Sequence, residues 1–193
     1  TSKVDDVILG VVSPVGEQGS DIARTAVLSA GWGQETAGVQ INRFCASGLQ
    51  ALAMAAQMVR VEGAKAILAG GLESISLVQP PPRNSREAWL EEHRPDLYLP
   101  MIETADIVAA RYGVSRDDQD DYALRSQQRI AAAQEAGLFA DEIVPIEVTR
   151  AVTDKASGET REERVTFAAD ECNRPSTTRE GLAGLTPVRG EGQ

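Results

Sequence analysis

Cys45-Ala46-Ser47-Gly48-Leu49-Gln50-Ala51-Leu52-Ala53-Met54-Ala55-Ala56-Gln57-Met58-Val59-Arg60-Val61, followed after the break Glu62-Gly63-Ala64-Lys65 by Ala66-Ile67-Leu68-Ala69, reads as a helix feeding a strand. The helix candidate has polar side chains only at Ser47, Gln50, Gln57 and Arg60, and the last three share one narrow stripe. A helix apolar around the rest of its circumference is expected to be covered on most sides, sandwiched between layers in the centre of a domain. Its alanines and Gly48 let those layers approach closely. The run 66–69 is continuously apolar rather than alternating, the pattern of a strand buried on both faces of a parallel sheet.

Upstream, the same alternation repeats. Val7-Ile8-Leu9 and Val11-Val12 form a strand-like run behind Asp5-Asp6, Gly16 and Gly19 break it, and Asp21 to Ala30 follows as a helix ending at Gly31. Val39 to Asn42 is a second short strand. Strand, helix, strand, helix, strand implies right-handed crossovers and an α/β layer.

The character changes after Ser76. Pro80, Pro81 and Pro82 interrupt the pattern, and residues 83–100 mix charge, Trp89 and more proline, as in an irregular excursion from the core. Helical spacing returns at Thr104 to Arg111. A stronger helix starts at Ser115, where Asp118 completes a capping-box pattern, and it should stop at Gly137. The acidic run Asp117 to Asp121 suits the positive end of that helix better than a metal site. Val144 to Val148 and Val165 to Phe167 flank a charged segment as two further strands, and beyond residue 170 the pattern is loop-like.

Composition narrows the function. With 42% hydrophobic residues but only 4% aromatic ones, the core must be built from Ala, Val, Ile and Leu. No stretch approaches the ~18 consecutive apolar residues of a membrane span, and no secretory leader pattern precedes the first strand, so a soluble, cytoplasmic chain is expected. A net charge of -10 disfavours nucleic acid as a partner, because a groove for a phosphate backbone needs a basic surface. Cys45 and Cys172 are far apart and outside any CxxC, which reads as two free thiols in a reducing compartment. No cluster has metal-ligand spacing.

Cys45 is the candidate nucleophile. A thiol at a helix N-terminus meets unpaired backbone N–H groups, which favour the thiolate and can also hold an oxyanion. The plain alternative is a small buried core residue, since free cysteine is among the most buried types. His93, the one histidine, lies in the irregular excursion and reads as a solvated loop residue. If Cys45 is a nucleophile, its base therefore lies elsewhere. Gly70-Gly71 reads as close packing against a neighbour, Glu73 as a buried structural carboxylate rather than a site residue, and Cys172 as an exposed bystander.

Asn42-Arg43-Phe44-Cys45-Ala46-Ser47-Gly48-Leu49-Gln50-Ala51 resembles the thiolase segment N-x-x-C-x-S-G-x-x-A around the acyl-accepting cysteine. Val4 to Gly10 is similar to the family's early strand, and Ala69-Gly70-Gly71-Leu72-Glu73-Ser74-Ile75-Ser76 to its A-G-G-x-E-S-M-S. Met101 to Asp106, Ser115 to Gln128, and Asp141 to Pro145 continue the series in order.

The resemblance implies a thiolase-like layered α/β fold, with a partial N-terminal core over 1–77 and an inserted, CoA-covering loop domain over 78–193. It implies an acyl-CoA:acetyl-CoA acyltransferase of fatty acid metabolism (β-oxidation) that forms an acyl-thioester on Cys45. The enzyme would cleave 3-ketoacyl-CoA or condense acyl-CoAs. Ser47 and Gly48 would shape the backbone, and Met101 would lie near bound substrate. Acyl-CoA and CoA are the partners, with no cofactor besides, in a homodimer or homotetramer. In the family a G-H-P histidine, a second cysteine and an N-E-A-F asparagine lie in a later half, so the chain is expected to be a piece truncated at both ends and inactive alone. Ile102 departs from the family's Gly after Met101, and Pro100 stands where some biosynthetic members carry histidine. Two rivals are a catalytically incomplete half that only dimerises or binds acyl-CoA, and a carrier-dependent condensing enzyme. The Met101 and 70–74 matches favour thiolase over the latter.

Overall fold

The computed structural model describes residues 4–78 and 86–190, and the chain divides into two compact units, Thr1–Ser85 and Arg86–Gln193. The expected break at Pro80, Pro81 and Pro82 lies outside the described residues.

The first unit is built on a three-stranded parallel sheet with strand order β2-β1-β3. The central strand β1 (Asp6–Gly10) runs in register with β2 (Ala37–Ile41) on one side and β3 (Ile67–Gly71) on the other. Successive side chains of β1 point to opposite faces, and each face collects its own helix. Val7 packs with Ala23 and Val27 of α1 (Ile22–Ser29), together with Leu9 and Trp32. Ile8 packs with Ala51 and Ala55 of α2 (Ser47–Gln57), together with Ile41, Ile67 and Ala69. Crossovers of one hand that lead first to one neighbour of β1 and then to the other place their helices on opposite faces. Ile8 is fully buried, which stabilises the layer by about 1.5–3 kcal/mol. The small side chains of α2 do what the composition requires, bringing helix and sheet together without aromatic filler.

Local chemistry sets the boundaries. Asp21 caps α1 by accepting from the Arg24 N–H at 3.2 Å, and Gly31, at φ +71°, turns the chain out of it. The helix expected over Cys45 to Val61 starts at Ser47 and relaxes at Met58–Glu62 into a wider π-type turn, closed by Gly63 at φ +78°. Gly71 lies against β1, where a methyl group would stand 3.1 Å from the Gly10 carbonyl oxygen, so close packing accounts for Gly71, whereas a methyl group on Gly70 would make only an ordinary 3.8 Å contact with Leu9. A short helix, α3 (Ile75–Val78), follows.

Two burial expectations are corrected. The outer face of α2 is open, with Leu49 72% and Leu52 55% exposed. β3 is covered on one face only: Ile67 and Ala69 meet α2, while Leu68 on the other face is 44% exposed. Apolar patterning reports surface suited to burial, and the described residues of this unit supply no second layer for those faces.

The second unit comprises α4 (Ala88–His93), a 3-10 turn Pro95–Tyr98, α5 (Met101–Tyr112), α6 (Arg116–Glu135), the antiparallel pair β4 (Ile146–Thr153) and β5 (Thr160–Phe167), and α7 (Arg179–Ala183). The region expected to be irregular thus carries two short helical pieces, and the tail expected to be loop-like carries α7. The reciprocal capping box of Ser115 and Asp118 starts α6, and Gly137 follows it at φ +69°. Asp117, Asp120 and Asp121 all meet the Arg179 guanidinium at 2.9–3.0 Å, so the acidic run anchors α7 to α6. Arg189 ties the end of the unit to Glu103 and Asp106 of α5 at 3.1 and 2.9 Å.

Candidate active site

In an open parallel sheet, ligands bind outside the carboxyl ends of the strands, where neighbouring connections part to opposite sides. Here the loop after β1 (Val11 onward), the loop after β2 (Asn42 to Ala46) and the segment after β3 (Leu72 to Ser74) share that end. Cys45 sits in the second of them.

The residues around Cys45 form a tight elbow. Asn42, just beyond β2, accepts the Phe44 N–H on Oδ1 at 2.9 Å, an Asx turn. Phe44 is consequently left-handed at φ +47°, an uncommon conformation for a bulky residue that costs about 1–3 kcal/mol. Ser47 holds the other side of the turn. Its hydroxyl donates to the Phe44 carbonyl at 2.6 Å and accepts the Arg43 N–H at 2.9 Å. The side chain of Ser47 is buried, whereas Cys45 is exposed.

The elbow corrects two readings. Cys45 is not a core residue. Nor does it occupy the first turn of α2: it precedes Ala46, the residue at the helix cap. The sharp strand–turn–helix construction lifts the thiol clear of the backbone while leaving it at the end of α2 where the first N–H groups lack intrahelical partners. Comparable strained strand–turn–helix elbows present nucleophiles in α/β-hydrolases. Among the described residues, no side chain is hydrogen-bonded to the thiol.

Glu73 lies at the same edge. It is exposed rather than buried, yet its carboxylate is structurally engaged. Oε2 accepts the Val12 N–H at 2.7 Å, and Oε1 accepts the Ser13 N–H at 3.3 Å and the Gln18 amide. Gln18, only 2% exposed, also donates to the Ser13 carbonyl at 2.8 Å and accepts the Ser74 N–H at 2.7 Å. Asn42 closes the cluster by donating from Nδ2 to the Val12 carbonyl at 2.9 Å.

The remaining candidates belong to the second unit. Met101 opens α5 directly after Pro100 and is 81% exposed. His93 closes α4 rather than lying in a loop. Its ring stacks on Trp89 at 4.5 Å between centroids, and Nδ1 meets the Trp89 carbonyl at 2.9 Å. Cys172 is a free, exposed thiol between β5 and α7. Reading the residues alone missed the roles of Asn42 and Phe44, although an Asn at a strand end is a recognisable turn former.

The thiolase N-terminal domain model matches residues 1–191. The chain is 41% identical over 187 residues to the 3-ketoacyl-CoA thiolase of Bacillus subtilis (strain 168), covering 96% of this chain and 47% of that protein. It is 40% identical over 205 residues to the β-ketoadipyl-CoA thiolase of Pseudomonas putida, covering 97% and 49% respectively. Among solved structures, the Bacillus anthracis acetyl-CoA acetyltransferase superposes with a TM-score of 0.78 at 33% identity, over 96% of this chain and 48% of that one. The chain spans about half the length of the relatives it matches. An α/β unit of this layering, with a match running along nearly its whole length, places the chain in the thiolase family, within the family's N-terminal domain.

Proposed function

We propose that this chain is the cysteine-bearing half of an acyl-CoA:acetyl-CoA C-acyltransferase, and that Cys45 carries the acyl group. The observation that supports this most is the exposed thiol on a left-handed elbow at the carboxyl edge of the sheet, directly before α2.

In the cleavage direction the deprotonated Cys45 sulfur attacks the 3-keto carbon of a 3-ketoacyl-CoA. An S–C bond forms, the bond between carbons 2 and 3 breaks, and its electron pair takes up a proton, releasing acetyl-CoA. The thiol of free CoA then attacks the acyl-thioester, gives up its proton to a base, and leaves with the shortened acyl group. Condensation runs the same steps backwards. Charge developing on the carbonyl oxygen is best met by fixed N–H donors, and the first turn of α2 supports that assignment. The bases are the histidine and second cysteine that the family resemblance assigns to a later segment.

Under this reading residues 78–193 form the loop domain over CoA, with Met101 beside the substrate. CoA thioesters are substrates, and no other cofactor is required. The name of the Bacillus subtilis relative supports 3-ketoacyl-CoA as a substrate, and that of the Pseudomonas putida relative supports β-ketoadipyl-CoA. We place the protein in the cytoplasm as a homodimer or homotetramer. Among the described residues no helix is long and apolar enough to cross a membrane.

A second reading, that the chain only dimerises or binds acyl-CoA, draws support from the open apolar face of α2 and from the thiol's lack of a bonded base among the described residues. Kinetics on the protein expressed from its full reading frame separate the two. Cys45→Ala is expected to abolish CoA-dependent cleavage of a 3-ketoacyl-CoA, while Cys172→Ser retains it. Binding of acyl-CoA without any turnover by the unsubstituted protein would select the second reading.

A further inference from the structure

We propose that Glu73 is a positioning residue for Cys45, acting through Val12 and Asn42. The proposal deepens the reading of Cys45 as the acyl carrier and rests on it.

The three loops at the carboxyl edge are joined by one continuous set of hydrogen bonds. Glu73, after β3, holds the backbone N–H groups of Val12 and Ser13, after β1. The carbonyl of that same Val12 accepts Asn42 Nδ2 at 2.9 Å. The other end of the Asn42 amide accepts the Phe44 N–H at 2.9 Å, and Phe44 is the left-handed residue that turns Cys45 outward. Each amide end of Asn42 is therefore committed, one to the loop that Glu73 fixes and the other to the elbow. A shift of Val12 turns the Asn42 amide, and the Asn42 amide sets the elbow.

The chemistry calls for a carboxylate at this position. Both oxygens of Glu73 face N–H donors: Val12 on one side, Ser13 and the Gln18 amide on the other. A glutamine would turn an NH2 group toward one of these donors and lose that bond. Rearranging Gln18 cannot relieve the mismatch, because its nitrogen also serves the Ser13 carbonyl and its oxygen the Ser74 N–H, inside a nearly closed site. Hydrogen bonds to an ionised acceptor are the stronger kind, which suits a brace standing at a solvent-exposed edge.

The test uses the full chain and its two thiols. Limiting iodoacetamide is added at neutral pH, and alkylation of Cys45 is measured against Cys172 in the same molecules. Trypsin cuts after Arg43 and Arg60, so Phe44–Arg60 contains Cys45 alone, and Val165–Arg179 reports Cys172. Glu73→Gln is expected to lower the Cys45-to-Cys172 rate ratio about three- to ten-fold, the effect of one lost hydrogen bond. Asn42→Ala should lower it comparably, and the double variant no further than the larger single effect, since both act on one path. Glu73→Asp, which keeps the charge, should recover part of the loss. Thermal melts accompany each variant. If Glu73→Gln unfolds the chain, Asn42→Ala and Glu73→Asp carry the test.

An unchanged ratio in a variant that merely melts lower would show Glu73 to be an ordinary stabilising residue, and the proposal would fall. Additive losses in the double variant would overturn it equally. The ratio in the unsubstituted chain tests the acyl-carrier reading separately: if Cys45 is no faster than Cys172 there, that reading loses support whatever Glu73 does.

Discussion

Gly10, the last residue of β1, lies directly against the backbone of Ser47 at the start of α2. A methyl group on Gly10 would stand 2.6 Å from the Ser47 carbonyl carbon and 2.7 Å from the Gly48 nitrogen. Both neighbours are backbone, so neither can yield by a rotamer change. Gly10→Ala must therefore push α2 away from the sheet, at a cost of about 1–3 kcal/mol. Gly48 differs, because a methyl group there meets nothing within 4 Å. Removing glycine from the helix should leave stability unchanged or raise it by up to about 1 kcal/mol. Urea unfolding of the two variants checks the contrast, and equal destabilisation by both would refute this account of the β1–α2 contact.

The start of α6 carries a pH dependence of known sign. The hydroxyl and N–H of Ser115 hold the Asp118 carboxyl below its ordinary value of 3.8. A carboxyl whose pKa is lower folded than unfolded stabilises the fold when ionised. That contribution is complete above the unfolded value and lost as pH falls through the lower, folded one. Asp118→Ala should thus reduce helicity and melting temperature at neutral pH, with the gap to the parent closing as pH falls below the ordinary carboxylate range. Ser115→Ala removes the other half of the box and should cost about 1 kcal/mol at neutral pH. Circular dichroism against pH measures both, and a gap that stays constant into acid would exclude the ionised cap.

These elements show where a sequence is legible. The capping box was readable to the residue because its chemistry spans a single turn. The strands at Val7-Ile8-Leu9 and Ala66-Ile67-Leu68-Ala69 announced themselves by apolarity, and Gly31 and Gly137 marked helix ends through backbone preference. The hairpin strands β4 and β5 extend further than their apolar residues suggested because both run mostly at the surface, where charged side chains such as Arg150 and Glu163 leave no alternation to read.

At the proposed site, the place of Cys45 between a strand and a helix was legible, but its position one residue ahead of the helix cap was not. That depends on Phe44 entering the left-handed region, which Asn42 and Ser47 enforce through hydrogen bonds. The brace from Glu73 joins loops far apart in the chain and leaves no local pattern. The covering of α2 was the opposite case. Its apolar circumference announced partners that the described residues of this unit do not supply.

That open face yields a further expectation. Leu49 and Leu52, three residues apart, stand side by side on α2 and are largely exposed. Contiguous apolar surface of this kind promotes association. The isolated chain is expected to self-associate with rising concentration, and Leu49→Lys with Leu52→Glu to shift it toward monomer without loss of helical signal. Sedimentation velocity over a concentration series decides, and a monomer at all concentrations in the unsubstituted chain would contradict the expectation.

The claim that Cys45 carries the acyl group is tested most directly by trapping the intermediate. The protein expressed from its full reading frame is mixed with an acyl-CoA, quenched in acid to preserve thioesters, digested with trypsin and weighed by peptide. The account predicts the mass of one acyl group on Phe44–Arg60, discharged when free CoA is added before the quench, and absent in Cys45→Ala. An acyl group found on Val165–Arg179 instead, or turnover of 3-ketoacyl-CoA that persists in Cys45→Ala, would contradict it.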